Sequence, residues 1–267
     1  MLTPVNTFKA ALRRGTTQFG LWLGFTDTVC VEIAAGAGFD WLLLDSEHAP
    51  NDLRTLLAGL QTVAAYPVQP IVRIATADAT IMKRVLDIGA QSVIVPMIET
   101  ADQARLMVEA MRYPPHGIRG VGTALARASR WNRVTDYFER ANAEMCLIVQ
   151  IESRTGLENI EAIAAVEGVD ALFVGPADLA AALGYLGMPS HPAVRDAIRS
   201  AFQRVRAAGK GCGSLSSSEA VARDYVSQGC QFVALGLDTL LLANAARNLV
   251  RQFKPRTDIA PLSGAPN

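Results

Sequence analysis

Eight short apolar runs punctuate the chain, at 19–24 (FGLWLG), 40–45 (DWLLLD), 69–74 (QPIVRI), 92–97 (SVIVPM), 145–152 (MCLIVQIE), 170–176 (DALFVGP), 210–215 (KGCGSL) and 231–237 (QFVALGL). Their continuous Val/Ile/Leu character, with little polar alternation, is that of strands buried on both faces. Each run is followed by a stretch with helical periodicity. Ala-rich amphipathic segments such as 53–65, 78–90 and 191–209 lie between them. Several end in glycine just before the next run (Gly38, Gly89, Gly168, Gly209 and Gly229), where a left-handed residue can stop a helix. Eight strand–helix units in 267 residues predict an α/β fold, a single (β/α)8 barrel. A doubly wound open sheet would leave the count of eight unexplained. No G-x-G-x-x-G opens a helix after the first run, which removes the usual NAD reading of such a sheet. The barrel is expected over 1–253, with a long insertion at 113–143 between strands four and five and a frayed tail over 254–267.

Composition narrows the partners. Lys+Arg and Asp+Glu both number 25, so the chain lacks the basic surface that nucleic acid or an anionic membrane requires. Half of the residues are hydrophobic, enough for a core, yet no run of ~18 apolar residues could span a bilayer. The first fifteen residues carry charge and no apolar h-region, unlike a signal peptide. Cys30, Cys146, Cys212 and Cys230 form no C-x-x-C pair, which predicts reduced core thiols and a cytoplasmic protein.

In such barrels the chemistry sits where the strands end. Strand two ends in Asp45-Ser46-Glu47-His48, strand three at Arg73, strand five in Gln150-Ile151-Glu152, and strand six runs into Gly175-Pro176-Ala177-Asp178. Gln150 and Glu152 share a side by the two-residue period. Glu152 and Asp178, with no His at metal-ligand spacing, suit a hard divalent cation. The bland alternative is that Glu152 pairs with an arginine and Asp178 charges a helix start, where the Ala177 and Asp178 N–H groups could seat an anion. Arg73 could hold a carboxylate or a developing enolate oxygen, or be the structural ion-pair partner of Glu47 or Glu152. In the first case its loss would reduce turnover and leave folding nearly intact. His48 could serve as acid or base, or simply begin a helix. Trp22 could wall the pocket or pack the core. His116 and His191 adjoin Pro or Gly and read as surface residues. Of the lysines, Lys9 precedes the barrel, Lys83 is mid-helix, Lys210 begins a strand at the opposite rim and Lys254 is in the tail. None can serve as a Schiff-base lysine or a PLP anchor, so enolate chemistry would rest on a metal and an arginine.

The segments LWLGFTDTVCVEIAAGAGFDWLLLDSEHAPND, RYPPHGIRGVGTALARASRWNR, QIESRTGLENI and VEGVDALFVGPADLAAALGY closely resemble the HpcH/HpaI aldolases, and the resemblance runs from about Phe8 to Phe253. It implies a barrel of the phosphoenolpyruvate/pyruvate-binding type. It also implies a class II aldolase of aromatic-compound catabolism that uses Mg²⁺, Mn²⁺ or Co²⁺. Its substrates would be 4-hydroxy-2-oxo acids such as 4-hydroxy-2-oxoheptanedioate, cleaved to pyruvate and an aldehyde, with hydroxypyruvate as a further donor. Glu152 and Asp178 fall on the metal ligands, His48 on the base with Asp45 as companion acid, and Arg73 on the essential arginine. Gln150 and Ala177 fall on substrate contacts, and Asp87 on an aspartate credited with transition-state support; its local pattern reads as helix-terminal. The resemblance further implies a homo-hexamer, a trimer of dimers that exchange the C-terminal helix. Ser46 and the serines that follow Leu215 (Ser216, Ser217 and Ser218) depart from close relatives, which leaves the aldehyde open, while Leu215 itself falls on a substrate contact. A 2-keto-3-deoxy sugar-acid aldolase, a citrate-lyase-like or phosphoenolpyruvate-mutase-like lyase, and a non-catalytic oxo-acid binder are the alternatives. The arginines of the insertion (Arg119, Arg127, Arg130, Arg133) could reach the aldehyde or form an interface.

Overall fold

The eight apolar runs all become strands. A computed structural model describes residues 1–254, so the expected tail, Lys254 apart, lies outside the described residues. The strands are β1 (Gln18–Leu23), β2 (Trp41–Asp45), β3 (Gln69–Arg73), β4 (Ser92–Val95), β5 (Cys146–Ile151), β6 (Val169–Val174), β7 (Gly211–Leu215) and β8 (Phe232–Leu237). They pair in chain order, all parallel, and β8 closes on β1. The helices are α1 (Thr7–Arg13), α2 (Thr28–Ala35), α3 (Leu53–Val63), α4 (Ala79–Asp87), α5 (Ala101–Met111), α6 (Tyr137–Glu144), α7 (Arg154–Glu158), α8 (Ile160–Ala164), α9 (Pro176–Ala182), α10 (Pro192–Ala207), α11 (Glu219–Ser227) and α12 (Asp238–Arg251). The 113–143 insertion links α5 to β5. It contains a short 3-10 turn at Arg127–Ser129 and most of α6.

Two apolar layers explain why every strand reads as a continuous run. Leu42, Leu44, Val72, Val93, Val95 and Leu172 point outward under the helices. Trp41, Leu43, Ile71, Ile94, Ile148, Phe173 and Phe232 point inward. Phe8 of α1 plugs the end where the strands begin, edge-on to Trp41 and Phe232 at 6.2 and 5.4 Å between ring centroids. Large rings fit inside because glycines face them. A Cβ at Gly20 would lie 2.2 Å from the Trp41 ring, and one at Gly213 would lie 2.2 Å from Phe232.

The helix ends follow local rules. Asp27, Asn6, Asp52, Asp78, Thr100 and Ser153 cap the starts of their helices with side-chain oxygens. The five anticipated stop glycines all have positive φ, between 73° and 107°. The last helix differs from the rest. Among its described residues α12 buries none, and Leu241 and Leu242 are more than half exposed. The outer faces of β1 and β8, which an eighth barrel helix would cover, leave Phe19 and Leu235 each 40% exposed. They line a cavity of about 640 Å³ with Ala222 and Val226 of α11. No described helix is long and apolar enough to cross a membrane.

Candidate active site

Inside the barrel the inward period runs Trp41, Leu43, Asp45 on β2 and Ile71, Arg73 on β3, so the layer above the apolar plug is charged. Asp45 and Arg73 are register partners. Arg73 donates Nε to Asp45 Oδ1 at 2.8 Å and Nη2 to Oδ2 at 2.6 Å, a bidentate fork between two side chains almost fully buried. Its Nη1 lies 2.8 Å from Glu47 Oε2, an ionic contact without hydrogen-bond alignment. Below it the guanidinium rests on Trp22, 4.7 Å from the ring centroid, and Trp22 Nε1 donates to Asp45 at 3.3 Å. Trp22 thus packs against Phe173 on one side and lies beneath the Arg73 guanidinium on the other. Burial pushes Asp45 up, but the Arg73 hydrogen bonds and charge outweigh it and hold the carboxyl below its ordinary value. For Glu47 burial prevails over Arg73 and the carboxyl is raised. Three of the five guanidinium N–H groups face these carboxylates, leaving two for a substrate.

Across the barrel, β5 and β6 supply the second cluster. Gln150 is buried, and its Nε2 donates to Glu152 Oε2 while its Oε1 has no partner. Glu152, 3% exposed, also accepts from Met97 N at 2.9 Å. Met97 stands in the left-handed region at φ 52°, uncommon for a side chain of its size; the turn that imposes this aims its N–H at Glu152. Burial pushes the Glu152 carboxyl up to about 7. Met97 N and Gln150 pull against that, and the charges of Asp178 and Glu47 add to it. Asp178 lies exposed in the first turn of α9, beside Ala177. The glycine of GPAD is sterically required: a Cβ at Gly175 would sit 2.6 Å from Glu152 Oε2 and 3.0 Å from Gln150 Nε2.

The remaining candidates divide. His48 is at the mouth, its side chain 64% exposed, with Glu47 Oε1 3.9 Å away. The acid beside it is thus Glu47, while Asp45 is held by Arg73. Glu47 was absent from the expected site, although the period that groups Gln150 with Glu152 also groups Asp45 with Glu47. Leu215 ends β7 and packs on the inner cluster. Asp87 closes α4 where the chain turns into β4, at the rim opposite the mouth, and pairs with the fully buried Arg119 at 2.8 Å. Arg119 also stacks on Tyr113, 4.4 Å from its centroid. Arg127 donates to the carbonyls of Ile88 and Leu60. In this chain neither arginine reaches the strand-end cluster. His191 is not a bare surface residue: its Nδ1 accepts from Ala193 N, capping α10, and its ring stacks on Tyr185 at 3.8 Å.

Comparison with known proteins gives this geometry a context. The family model described as HpcH/HpaI aldolase/citrate lyase matches residues 18–245. The chain belongs to the HpcH/HpaI aldolase/citrate lyase family. It is 60% identical over 252 residues to a hydroxypyruvate/pyruvate aldolase of Deinococcus radiodurans, covering 94% of this chain and 91% of that protein. It is 53% identical over 248 residues to a 4-hydroxy-2-oxo-heptane-1,7-dioate aldolase of Escherichia coli, covering 93% and 95%. A crystal structure of an HpcH/HpaI family protein from Burkholderia cenocepacia superposes with a TM-score of 0.90 at 39% identity, covering 93% of this chain and 99% of that one. As an HpcH/HpaI member the chain is a carbon–carbon lyase that depends on a divalent cation.

The residues present fit such an ion. Glu152 at the end of β5 and Asp178 in the first turn of α9 offer oxygen ligands, the Gln150 carbonyl oxygen lacks a partner, and burial raises the Glu152 carboxyl to about 7. Among the described residues no group of three or more His, Cys, Asp or Glu side chains forms a cage. A Mg²⁺-like ion completes its shell with water and substrate oxygens, so two protein ligands suffice.

Proposed function

We propose that the chain is a class II pyruvate aldolase that reversibly cleaves 4-hydroxy-2-oxo acids, 4-hydroxy-2-oxoheptanedioate among them, to pyruvate and an aldehyde, and that it accepts hydroxypyruvate as a donor. The observation that carries this is the opposition, across one barrel mouth, of a buried Arg73 with free N–H groups and a proton-retaining Glu152 beside Asp178. Glu152 and Asp178 would hold Mg²⁺, Mn²⁺ or Co²⁺, which supplies Lewis-acid polarisation of the 2-oxo group. Gln150 and the Ala177 N–H at the start of α9 orient the oxo-acid carboxylate. His48, exposed at the mouth and flanked by Glu47, removes the proton from the C4 hydroxyl. The C3–C4 bond breaks, the C4 oxygen becomes the aldehyde carbonyl, and the electron pair passes into the C2–C3 enolate. Arg73 donates its remaining N–H groups to the enolate oxygen until C3 is protonated. A donor aimed at a developing oxyanion typically contributes about 3–4 kcal/mol. Trp22 and Leu215 wall the donor half of the pocket, and Asp87 supports the transition state only if a neighbouring copy brings it to the mouth.

The HpcH/HpaI likeness, the exposed α12 and the uncovered β1–β8 wall together support a homo-oligomer, a hexamer built from dimers, in which α12 of one copy covers Phe19 and Leu235 of another. Pyruvate release from 4-hydroxy-2-oxoheptanedioate tests the catalytic reading. Chelator should abolish it and Mn²⁺, Co²⁺ or Mg²⁺ restore it; a protein that binds the substrate without releasing pyruvate under any of these ions refutes it.

A further inference from the structure

The rim opposite the mouth carries charge that the reaction does not use. There α1, the end of α10 and the starts of β6, β7 and β8 enclose a cavity of about 520 Å³. Lys9, Arg13, Arg14, Arg206 and Lys210 line it against one acid, Asp170, so five positive charges less one negative leave +4 in a chain whose net charge is zero. Asp170 is itself engaged, by Lys9 at 3.1 Å and by Leu147 N. The other cations hydrogen-bond to neutral oxygens or to nothing, and Lys210 lies within electrostatic reach of Glu167, an exposed acid outside the cavity lining. Arg206 Nη1 donates to the Gln228 carbonyl, Lys210 Nζ to the Val169 carbonyl, and among the described residues Arg13, Arg14, Arg206 and Lys210 have no acid within salt-bridge distance.

Helix dipoles do not cancel the excess. The C-terminal ends of α1, α10 and α11 meet at this rim, and at roughly half a negative charge each they offset about 1.5 of the four. The floor is bare: a Cβ at Gly209 would meet nothing within 4 Å. Buried in the same wall, Gln231 Oε1 lacks a hydrogen-bond donor. A cavity of this volume, within the range of small-molecule pockets, and guanidinium forks from two helices match the planar oxygen edges of a phosphoryl group.

We infer that this rim is a binding site for a small multivalent anion of the phosphate-ester or pyrophosphate class, separate from the mouth. Arg13, Arg14 and Arg206 form the fork, and Lys210 adds a point charge. The test titrates pyrophosphate into the full-length protein by calorimetry in metal-free buffer at fixed ionic strength. The mouth is left intact in a R13S/R14S/K210M variant, so any difference belongs to the opposite rim. The inference expects a site in the wild type that the variant binds at least about tenfold more weakly, with affinity falling as salt rises. The variant without anion should keep its turnover and melting behaviour. If the variant fails to fold, R14S alone, at an exposed position, replaces it and should still weaken binding. Equal binding by wild type and variant, or none by the wild type, overturns the inference. So does a variant whose only change is a smaller assembly, since the charges would then serve an interface between copies.

Discussion

Arg73 shows how closely function and stability are joined in this mouth. Lysine can keep the charge but not the fork, so Arg73→Lys should lower kcat by about 10²–10³ with a modest change in melting temperature. Arg73→Ala is another matter. Sequence alone suggested it would leave folding intact, but it strands Asp45 and Glu47, both largely buried, without a counter-charge. A loss of about 3–5 kcal/mol is expected, read by denaturant titration. Asp45 and Arg73 were legible because they continue an inward period set by Trp41, Leu43 and Ile71. The Met97 N–H on Glu152 was not, since a left-handed methionine depends on the turn after β4 and leaves no mark in the local pattern. Glu152 also makes a pH prediction. Its folded pKa is raised, to about 7, so its contribution to stability is fully present below the ordinary carboxylate range and is lost as pH rises towards 7. In the proposed site a cation would replace the proton. Thermal shifts on adding Mn²⁺ should therefore grow between pH 5 and 7 and level off above; a shift constant with pH would place the ion elsewhere.

At the level of strands and helices, the barrel interior is a fit between large rings and glycines. Gly20→Ala puts a methyl 2.2 Å from the Trp41 ring, and overpacking of this kind costs about 1–3 kcal/mol. Adding Trp41→Leu should return part of that loss, which chemical denaturation of the single and double variants would measure. A double variant less stable than either single one would mean the two residues do not compete for space. The strands themselves were readable to within one or two residues, because burial on both faces forces a continuous apolar run. The insertion was readable only as a length. Its form rests on long-range anchors, Arg119 to Asp87 and Arg127 to Ile88 and Leu60, and no local periodicity records a partner thirty or more residues away.

For the whole molecule, the periodicity of α12 is plain in the sequence, but what its apolar side covers is not. Leu241, Leu242, Leu249 and Val250 stand in solvent in the single chain while the β1–β8 wall lacks a cover. L241D/L242D should shift the protein to smaller species by light scattering and leave the barrel's far-ultraviolet circular dichroism intact; an unchanged mass would remove α12 from assembly. The central claim concerns one cation held by two acids beside one guanidinium, and it is tested with no acceptor aldehyde at all. Exchange of the pyruvate methyl protons for deuterium, followed by NMR, reports enolate formation directly. The wild type with Mn²⁺ should exchange, while the metal-stripped protein and the Glu152→Gln variant should fall to the buffer rate. Exchange at the wild-type rate in either of those two would contradict the account.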